Sequence, residues 1–144
     1  MPVKKIEFAE LEKSLSKTGT SAIDFLAAEL GKVYVVTATR DGCPACEKYK
    51  PKIDKLAEAT TEKHGNKVVF VQIRIKYSPG KDQESLRSKS VFGHYFYPTS
   101  LILIRTGDRG AIEYYRNVSP VISELRKNIE AALQIATFLK KEQK

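Results

Sequence analysis

The sequence has few of the residues that stabilise a fold through several disulfides or through a bound metal ion. Its 144 residues include two cysteines, two histidines, one methionine and no tryptophan. Two cysteines can form at most one disulfide, and a chain of this length buries enough surface to need no disulfide to stabilise its core. The histidines, His64 and His94, lack the spacing typical of a zinc site. The two cysteines therefore need another explanation.

Long apolar stretches are also missing. The longest apolar runs are far shorter than the roughly 20 residues that cross a membrane. The charged start, Met1 to Lys5 followed by glutamates, contains no signal-peptide core. We therefore expect a cytoplasmic protein that does not contact a membrane, with reduced cysteines. Reduced cysteines favour redox or metal chemistry over structural bonding.

Length and composition indicate one globular domain, since 42% of the residues are hydrophobic and 29% are charged. Lysine and arginine number 25 against 17 acidic residues, which gives a net charge of +8. Much of this excess lies in residues 63–89, where seven basic residues face two acidic ones. No recognised nucleic-acid motif or stacking platform accompanies this charge, which argues against nucleic acid as a partner.

The apolar pattern predicts helices up to residue 31, followed by alternating strands and helices. Ser21 has Asp24 at the capping-box distance and should begin one helix. An edge strand from Val3 to Phe8 is the alternative for the first residues. The later elements predicted are strands at 33–39 and 68–75, a helix from 45 that His64-Gly65-Asn66 ends, helices at 83–89 and from Ser119-Pro120 onward, and a hairpin of 99–106 with 111–116. This order gives a mixed sheet covered by helices on both faces.

Cys43 and Cys46 stand where a predicted strand runs into a predicted helix. The first helical turn has N–H groups without partners and the positive end of the helix dipole. A thiolate at Cys43 would be stabilised there, and the thiolate is the nucleophile in disulfide exchange. Cys46 follows one turn later and could resolve a mixed disulfide formed at Cys43. Pro44 is suited to the first helical position.

Three other roles for the cysteine pair stay open. A disulfide across four residues closes so small a ring that it gives only roughly 2 kcal/mol of chain entropy. A zinc site would need two more ligands, so the metal would have to bridge two chains. The third alternative is a pair of unreactive thiols.

Three segments together resemble the thioredoxin-fold family, specifically thioredoxins and protein disulfide oxidoreductases. They are VYVVTATRDGCPAC, Pro51 within the following helix, and FGHYFYPTSLILI, which is similar to the family's cis-proline segment. The resemblance covers residues 32–136. It implies a three-layer α/β/α fold with a central mixed four-stranded sheet, in which a core of residues 32–139 follows an N-terminal helical extension of residues 1–31.

The resemblance also implies a function. It predicts a thiol–disulfide oxidoreductase acting on protein disulfides, in which Cys43 attacks and Cys46 resolves, with no cofactor or metal and with a reductase or oxidant as partner. It implies a cis bond before Pro98, although a trans proline at a strand start is the alternative. Tyr97 could pair its backbone with an extended substrate. The residues expected to shape the substrate groove are Gly42, Pro44, Ala45, Tyr97, Pro98 and Thr99.

Several positions depart from the thioredoxin pattern. Gly42 stands where thioredoxins carry a tryptophan, and Thr37 stands where they carry a buried acid that moves the proton of the second thiol. Asp41, Glu47 or water are candidates for that role. Residues 76–90 form a longer segment than in a minimal thioredoxin.

These departures leave two alternative functions. One is a thioredoxin-fold adaptor whose basic 63–89 surface binds an acidic or nucleic-acid partner. The other is a glutathione-dependent enzyme, because Pro44 is similar to a glutaredoxin proline. Arg40 and Lys48 would either add positive potential beside the Cys43 thiolate or remain solvated surface charges. His94 is expected to be a loop residue rather than a base.

Overall fold

A computed structural model describes residues 2–77, 80, 83–94, 96–108, 110–118 and 121–143. The strands of these residues are β1 (Val3–Glu7), β2 (Val33–Arg40), β3 (Val68–Ile75), β4 (Thr99–Gly107) and β5 (Gly110–Val118). The helices are α1 (Phe8–Thr18), α2 (Ala22–Leu26), α3 (Pro44–His64), α4 (Gln83–Phe92) and α5 (Ile122–Glu142). A short 3-10 turn, Gly65–Lys67, joins α3 to β3.

The strands form one mixed sheet in the order β1-β3-β2-β4-β5. β1, β3 and β2 are parallel, whereas β4 is antiparallel to both β2 and β5. β2 is buried along nearly its whole length, as its continuous β-branched and apolar sequence predicts for a strand covered on both faces. Because β2 is the middle strand, its carboxyl end lies at the centre of the row of strand ends on that side of the sheet.

Two apolar clusters hold helices on the two faces of the sheet, which gives three layers. On one face, α3 and α5 pack on the sheet through residues such as Leu56 and Ile129. On the other face, α1, α2 and α4 contribute residues such as Phe8, Leu26 and Phe92. The expected α/β/α architecture is confirmed.

The expected four strands are wrong, because the sheet has a fifth. The edge strand considered as the alternative for the first residues is confirmed: Val3–Glu7 is not helical but pairs in parallel with β3, from Val3 opposite Phe70 to Glu7 opposite Arg74. The stabilisation of this strand comes from hydrogen bonds to a distant part of the sequence, so its five residues carry little local signal. Lys4 and Lys5 are exposed along this edge strand, and such charges discourage pairing with another chain.

The expected helix end at residue 31 is wrong, because the backbone leaves the helical conformation at Ala27 and α2 ends at Leu26. Most other boundaries follow the sequence pattern. The Ser21 side chain caps α2 by accepting a hydrogen bond from the Asp24 N–H over 3.3 Å. α4 extends three residues further than expected, to Phe92. The expected helix start at Ser119-Pro120 lies outside the described residues, as do the first two residues of Ser78-Pro79-Gly80, a sequence that predicts a turn. In the described part of the chain, no helix combines the length and the apolar character needed to cross a membrane.

Candidate active site

The cysteine pair lies at the junction between β2 and α3. After β2 ends, Asp41 and Gly42 form a turn that leads to Cys43. Gly42 has a φ of 72°, a left-handed conformation that residues with a side chain rarely adopt. Cys43 is the N-cap of α3, and Pro44 occupies its first turn. The pair therefore stands at the start of a long helix, as its position in the sequence predicts.

Cys43 accepts hydrogen bonds from the first turn of α3. The two cysteines form a disulfide, with Cα atoms 5.2 Å apart. The Cys46 N–H donates to Cys43 Sγ over 3.1 Å, and the Glu47 N–H donates to the Cys43 carbonyl over 3.2 Å. The Glu47 bond is the first regular hydrogen bond of the helix, whereas the Cys46 N–H has no carbonyl partner within the helix. The N–H groups of this turn also carry the positive end of the helix dipole. A negative charge on the Cys43 sulfur would be stabilised at this place.

Small exposed residues surround the pair. Gly42, Pro44 and Ala45 are exposed, whereas the cysteines themselves are largely buried. Cys43 keeps 8% of its surface accessible and Cys46 keeps 4%. The more accessible cysteine is thus the one whose sulfur caps the helix, and no large side chain of these three residues covers it.

The segment that contains Pro98 reaches Cys43. β4 begins at Thr99, which pairs with Ala38 near the end of β2, so the residues before Thr99 lie beside the cysteine turn. The Tyr97–Pro98 peptide bond is cis. The Tyr97 carbonyl oxygen lies 3.8 Å from Cys43 Sγ. The structure therefore brings together residues that are more than fifty positions apart in the sequence.

The expected groove residues differ in their exposure. Pro98 and Thr99 are buried, and the Thr99 hydroxyl donates to the Phe96 carbonyl over 2.7 Å. Phe96 itself leaves 64% of its surface exposed. Thr99 therefore stabilises the bend from inside, while Phe96 presents apolar surface next to Tyr97. Tyr95, which belongs to the same aromatic segment, lies outside the described residues.

Three polar residues of the interior hold the Tyr97 side chain, and sequence reasoning did not identify them as a group. The Tyr97 hydroxyl is 2.9 Å from Ser85 Oγ and 2.8 Å from Ser88 Oγ, both on α4. His94, expected to be a loop residue, is buried with its Nε2 3.3 Å from Ser88 Oγ. The spacing of the two serines on one face of α4 was the available signal, but serine is common on exposed faces as well.

Arg40 is stacked on aromatic rings instead of extending freely into solvent. Its guanidinium carbon lies 4.3 Å from the centre of the Tyr77 ring and 5.6 Å from that of Tyr97. This is the geometry of a cation–π interaction. Lys48, the other cation expected near the thiolate, is exposed on α3. Of the two, Arg40 thus contacts the residue that lies against Cys43.

A salt-bridge network holds the turn before Cys43. Arg74 of β3 donates to both carboxylate oxygens of Asp41 over 3.0 Å each and to Glu7 over 3.0 Å. The hydrogen bonds with Asp41 and then those with Glu7 raise the pKa of Arg74, so it stays charged. The Asp41 N–H also donates to the Ile75 carbonyl. The last residue of β1 and the turn of the cysteine pair are therefore joined through one arginine.

Thr37 belongs to a buried cluster of hydroxyl groups. Its Oγ1 lies 2.8 Å from Ser100 Oγ, which is 3.1 Å from the Tyr49 hydroxyl. Burial raises the pKa of Tyr49 to about 12, so Tyr49 remains protonated near neutral pH. The position that carries an acid in thioredoxins thus carries neutral hydroxyl groups here.

Acids from elsewhere in the chain neutralise part of the basic stretch 63–89. The ion pairs are Lys63 with Glu130, Arg74 with Glu7 and Asp41, and Arg87 with Glu12. Lys63 and then His64 lower the pKa of Glu130 through hydrogen bonds. Lys81 and Asp82 lie outside the described residues. The stretch is therefore not a uniform positive surface.

His64 and His94 lie in separate places, one beside Glu130 at the end of α3 and one buried behind Tyr97. Over the described ranges, no three or more histidine, cysteine, aspartate and glutamate side chains are grouped so that they could hold a metal ion.

Comparison with known proteins places the fold. No protein-family model and no curated protein match the sequence. Among solved structures, the short form of thioredoxin f from spinach chloroplast is 19% identical over 91% of this chain and 93% of that chain, with a TM-score of 0.60. Thioredoxin NaTrxh from Nicotiana alata is 23% identical over 91% of this chain and 92% of that chain, with a TM-score of 0.59.

A further match is a chain in the complex of ferredoxin:thioredoxin reductase and thioredoxin f2. It is 18% identical over 91% of this chain and 94% of that chain, with a TM-score of 0.55. At these identities the similarity defines the architecture alone. The chain has the thioredoxin fold, with a cysteine pair at the start of α3 and a cis proline before β4.

Proposed function

We propose that this protein is a thiol–disulfide oxidoreductase that exchanges disulfides with protein substrates. The observation that carries the proposal is the position of Cys43, whose sulfur accepts the Cys46 N–H over 3.1 Å and lies 3.8 Å from the Tyr97 carbonyl. The N–H would stabilise a thiolate on Cys43, which is the reactive form. The Tyr97 carbonyl would accept a hydrogen bond from the backbone of a substrate segment that pairs with it.

The reaction has two exchange steps. In the first, the Cys43 thiolate attacks one sulfur of a substrate disulfide, forms a mixed disulfide, and releases the other substrate sulfur as a thiolate. In the second, Cys46 loses its proton and attacks Cys43 Sγ, which releases the second substrate thiolate and leaves the Cys43–Cys46 disulfide. The substrate gains two electrons and its thiolates take up two protons. The protein loses the same two electrons as its two thiols become a disulfide.

Solvent water is the proposed acceptor of the Cys46 proton. The hydroxyl groups around Thr37 are neutral, and Tyr49 holds its own proton because burial raises its pKa to about 12. Both oxygens of Asp41 already accept hydrogen bonds from Arg74. Glu47 is exposed in the first turn of α3 and is the remaining carboxylate of the three candidates. Its role would be to relay the proton between Cys46 and water.

The groove is proposed to combine exposed and supporting residues. Gly42, Pro44 and Ala45 would border the substrate, since they are exposed around the pair. Tyr97 would contact the substrate through its main chain. The buried Pro98 and Thr99 would fix the bend that presents it.

The electrons must be restored by a partner. One solved structure of similar fold holds ferredoxin:thioredoxin reductase together with thioredoxin f2. For the present chain we propose a reductase or an oxidant of unspecified type as the redox partner, and no bound cofactor, because the two sulfurs carry both electrons. The cytoplasm remains the expected location.

Reduction of insulin by dithiothreitol tests this function, because the reduced B chain precipitates and scatters light. The wild-type protein should accelerate precipitation at catalytic concentrations, and Cys43→Ser should abolish the acceleration. Cys46→Ser should retain one exchange and accumulate a mixed disulfide with the substrate, visible by non-reducing electrophoresis. A wild-type protein no faster than dithiothreitol alone, with no trapped disulfide, would contradict the proposal.

A further inference from the structure

The tyrosine that lies against Cys43 has its hydroxyl group in a built polar pocket. Two serines of α4 contact it, Ser85 at 2.9 Å and Ser88 at 2.8 Å, and neither serine has any accessible surface. The Ser88 hydroxyl also lies 2.9 Å from the Ser85 carbonyl. A polar cluster this deep in an apolar layer is costly unless its hydrogen bonds are satisfied, so it orients its members strongly.

His94 extends this cluster around the tyrosine ring. It is 2% exposed, its Nε2 lies 3.3 Å from Ser88 Oγ, and its ring meets the Tyr97 ring edge-on with centroids 4.8 Å apart. His94 also packs on Phe92 at the end of α4. The ring of Tyr97 therefore contacts fixed groups along its edge as well as at its hydroxyl.

Arg40 contacts the same ring from the end of β2. Its guanidinium carbon is 5.6 Å from the Tyr97 ring centre and 4.3 Å from that of Tyr77. Arg40 stands three residues before Cys43 in the chain. Tyr97 is thus held between two elements. One is α4, most of which lies in the longer segment of residues 76–90, and the other is the strand that leads to the cysteine pair.

We propose that Ser85, Ser88 and His94 are positioning residues for substrate binding: they anchor the Tyr97 side chain and thereby fix the Tyr97 main-chain carbonyl beside Cys43. This inference rests on the proposed function. The Tyr97 carbonyl is 3.8 Å from Cys43 Sγ, so a small rotation of residue 97 would move the backbone that pairs with substrate. The anchor also gives α4 a role, which is to support this backbone.

Pre-organisation of residue 97 should act on the binding of extended substrates and not on the chemistry of Cys43. A protein substrate needs the Tyr97 backbone in place, and a loosened backbone must be ordered again at each binding event. A small disulfide such as bis(2-hydroxyethyl) disulfide has no peptide backbone and needs only the Cys43 thiolate. The two substrates therefore separate positioning from reactivity.

The test is Tyr97→Phe, which removes the anchored hydroxyl and keeps the ring. With insulin as substrate we expect KM to rise about five- to tenfold with kcat nearly unchanged, and a tenfold change corresponds to about 1.4 kcal/mol. The rate with bis(2-hydroxyethyl) disulfide should fall by a much smaller factor than the rate with insulin. Ser88→Ala should show the same difference between the two substrates. In the variant that carries both changes, the rise of KM should be smaller than the two single effects combined, because both changes remove one shared contact.

Tyr34→Phe is the matched control. Tyr34 is also a buried tyrosine, and its hydroxyl accepts the Glu29 N–H over 2.9 Å at the start of β2, the end away from the cysteine pair. This variant should lose stability as Tyr97→Phe does but keep the wild-type KM for insulin.

The outcomes are distinguishable. Three results would overturn the positioning role while leaving the oxidoreductase activity intact. Tyr97→Phe could slow the reduction of insulin and of bis(2-hydroxyethyl) disulfide by the same factor, or change neither rate. Tyr34→Phe could also show the same rise of KM for insulin. If Tyr97→Phe does not fold, Ser88→Ala decides by the same criteria. A wild-type protein inactive on both disulfides would instead remove the proposed function, and the inference with it.

Discussion

Arg74 and Asp41 form a bidentate pair, with two hydrogen bonds of 3.0 Å between the guanidinium and the carboxylate. This pair connects β3 to the turn that presents Cys43. Paired planar groups fix orientation better than a single contact, which is why arginine and lysine are not equivalent at such a place. The pair gives the first of four predictions.

Arg74→Gln should loosen the turn before Cys43. Because both side chains are about one-third exposed, the loss of stability should be about 1 kcal/mol or less. We expect a two- to fivefold slower insulin reduction, since the turn positions the sulfur. Arg87→Gln is the control, because Arg87 pairs in the same bidentate way with Glu12, on the α1 side of α4. Equal rates for the two variants would contradict a role for the Arg74–Asp41 pair at the site.

The Cys43 thiol should titrate below a free cysteine, for which the pKa is about 8.5. The Cys46 N–H and the positive end of α3 both stabilise the thiolate form. The rate of alkylation by iodoacetamide should be measured against pH in Cys46→Ser, where Cys43 is the single thiol. An ordinary pKa for Cys43 in this variant would weigh against the proposed mechanism.

Replacement of Thr37 should separate the effect of a lost hydroxyl from that of an added acid. Thr37→Val should destabilise the fold by about 1 kcal/mol, because the hydrogen bond between Thr37 and Ser100 is lost. The loss should be no larger, since Ser100 keeps its contact with Tyr49. Thr37→Asp should cost more at pH 7, since burial raises the pKa of an added carboxyl and penalises its charged form. Its deficit should shrink toward pH 4, as the carboxyl is protonated. Urea unfolding at the two pH values measures both variants, and a pH-independent deficit would contradict the prediction.

His94 should make the fold less stable at mildly acidic pH. Burial, then the charges of Arg116 and Lys89, lower its pKa from 6.5 to about 4. Between these values the unfolded chain binds a proton that the folded chain does not, so stability rises with pH from about 4 to 6.5 and is complete above 6.5. The maximal loss is about 3 kcal/mol.

Urea unfolding at pH 5 and pH 7 tests the effect of His94. His94→Gln, which has no titrating ring but can still hydrogen-bond Ser88, should flatten the dependence on pH. Glu130 and Asp24 have lowered pKa values, so their stabilisation of the fold is complete above about pH 4.5 and is lost only below it. They therefore do not change the stability between pH 5 and pH 7. The same slope in His94→Gln and wild type would show that another group is responsible.

The central part of the fold could be predicted from the sequence because its signals are local. The β-branched run before Cys43, the proline at the first turn of α3 and the glycine that ends it at Gly65 each act within a few residues. The hairpin of β4 and β5 likewise follows from two apolar strands around a glycine-rich turn.

The parts that could not be predicted depend on contacts between distant residues. β1 is a strand because β3 pairs with it, and its own five residues left both a helix and an edge strand open. The anchor of Tyr97 joins side chains that are 9 and 12 positions away, and the hydroxyl cluster joins Thr37 to Ser100 across 63 positions. Serine and threonine are most common at exposed positions, turns and caps, so their identity alone does not reveal a buried network.

β1 also acts as a shield for β3. Because β1 hydrogen-bonds β3 along its whole length, deleting the first seven residues would turn β3 into the margin of the sheet. The backbone of β3, next to the apolar Val69 and Val71, would then be open to a strand from another molecule. Removal of these residues by a protease would therefore expose a strand that favours self-association, even with the cysteine pair untouched.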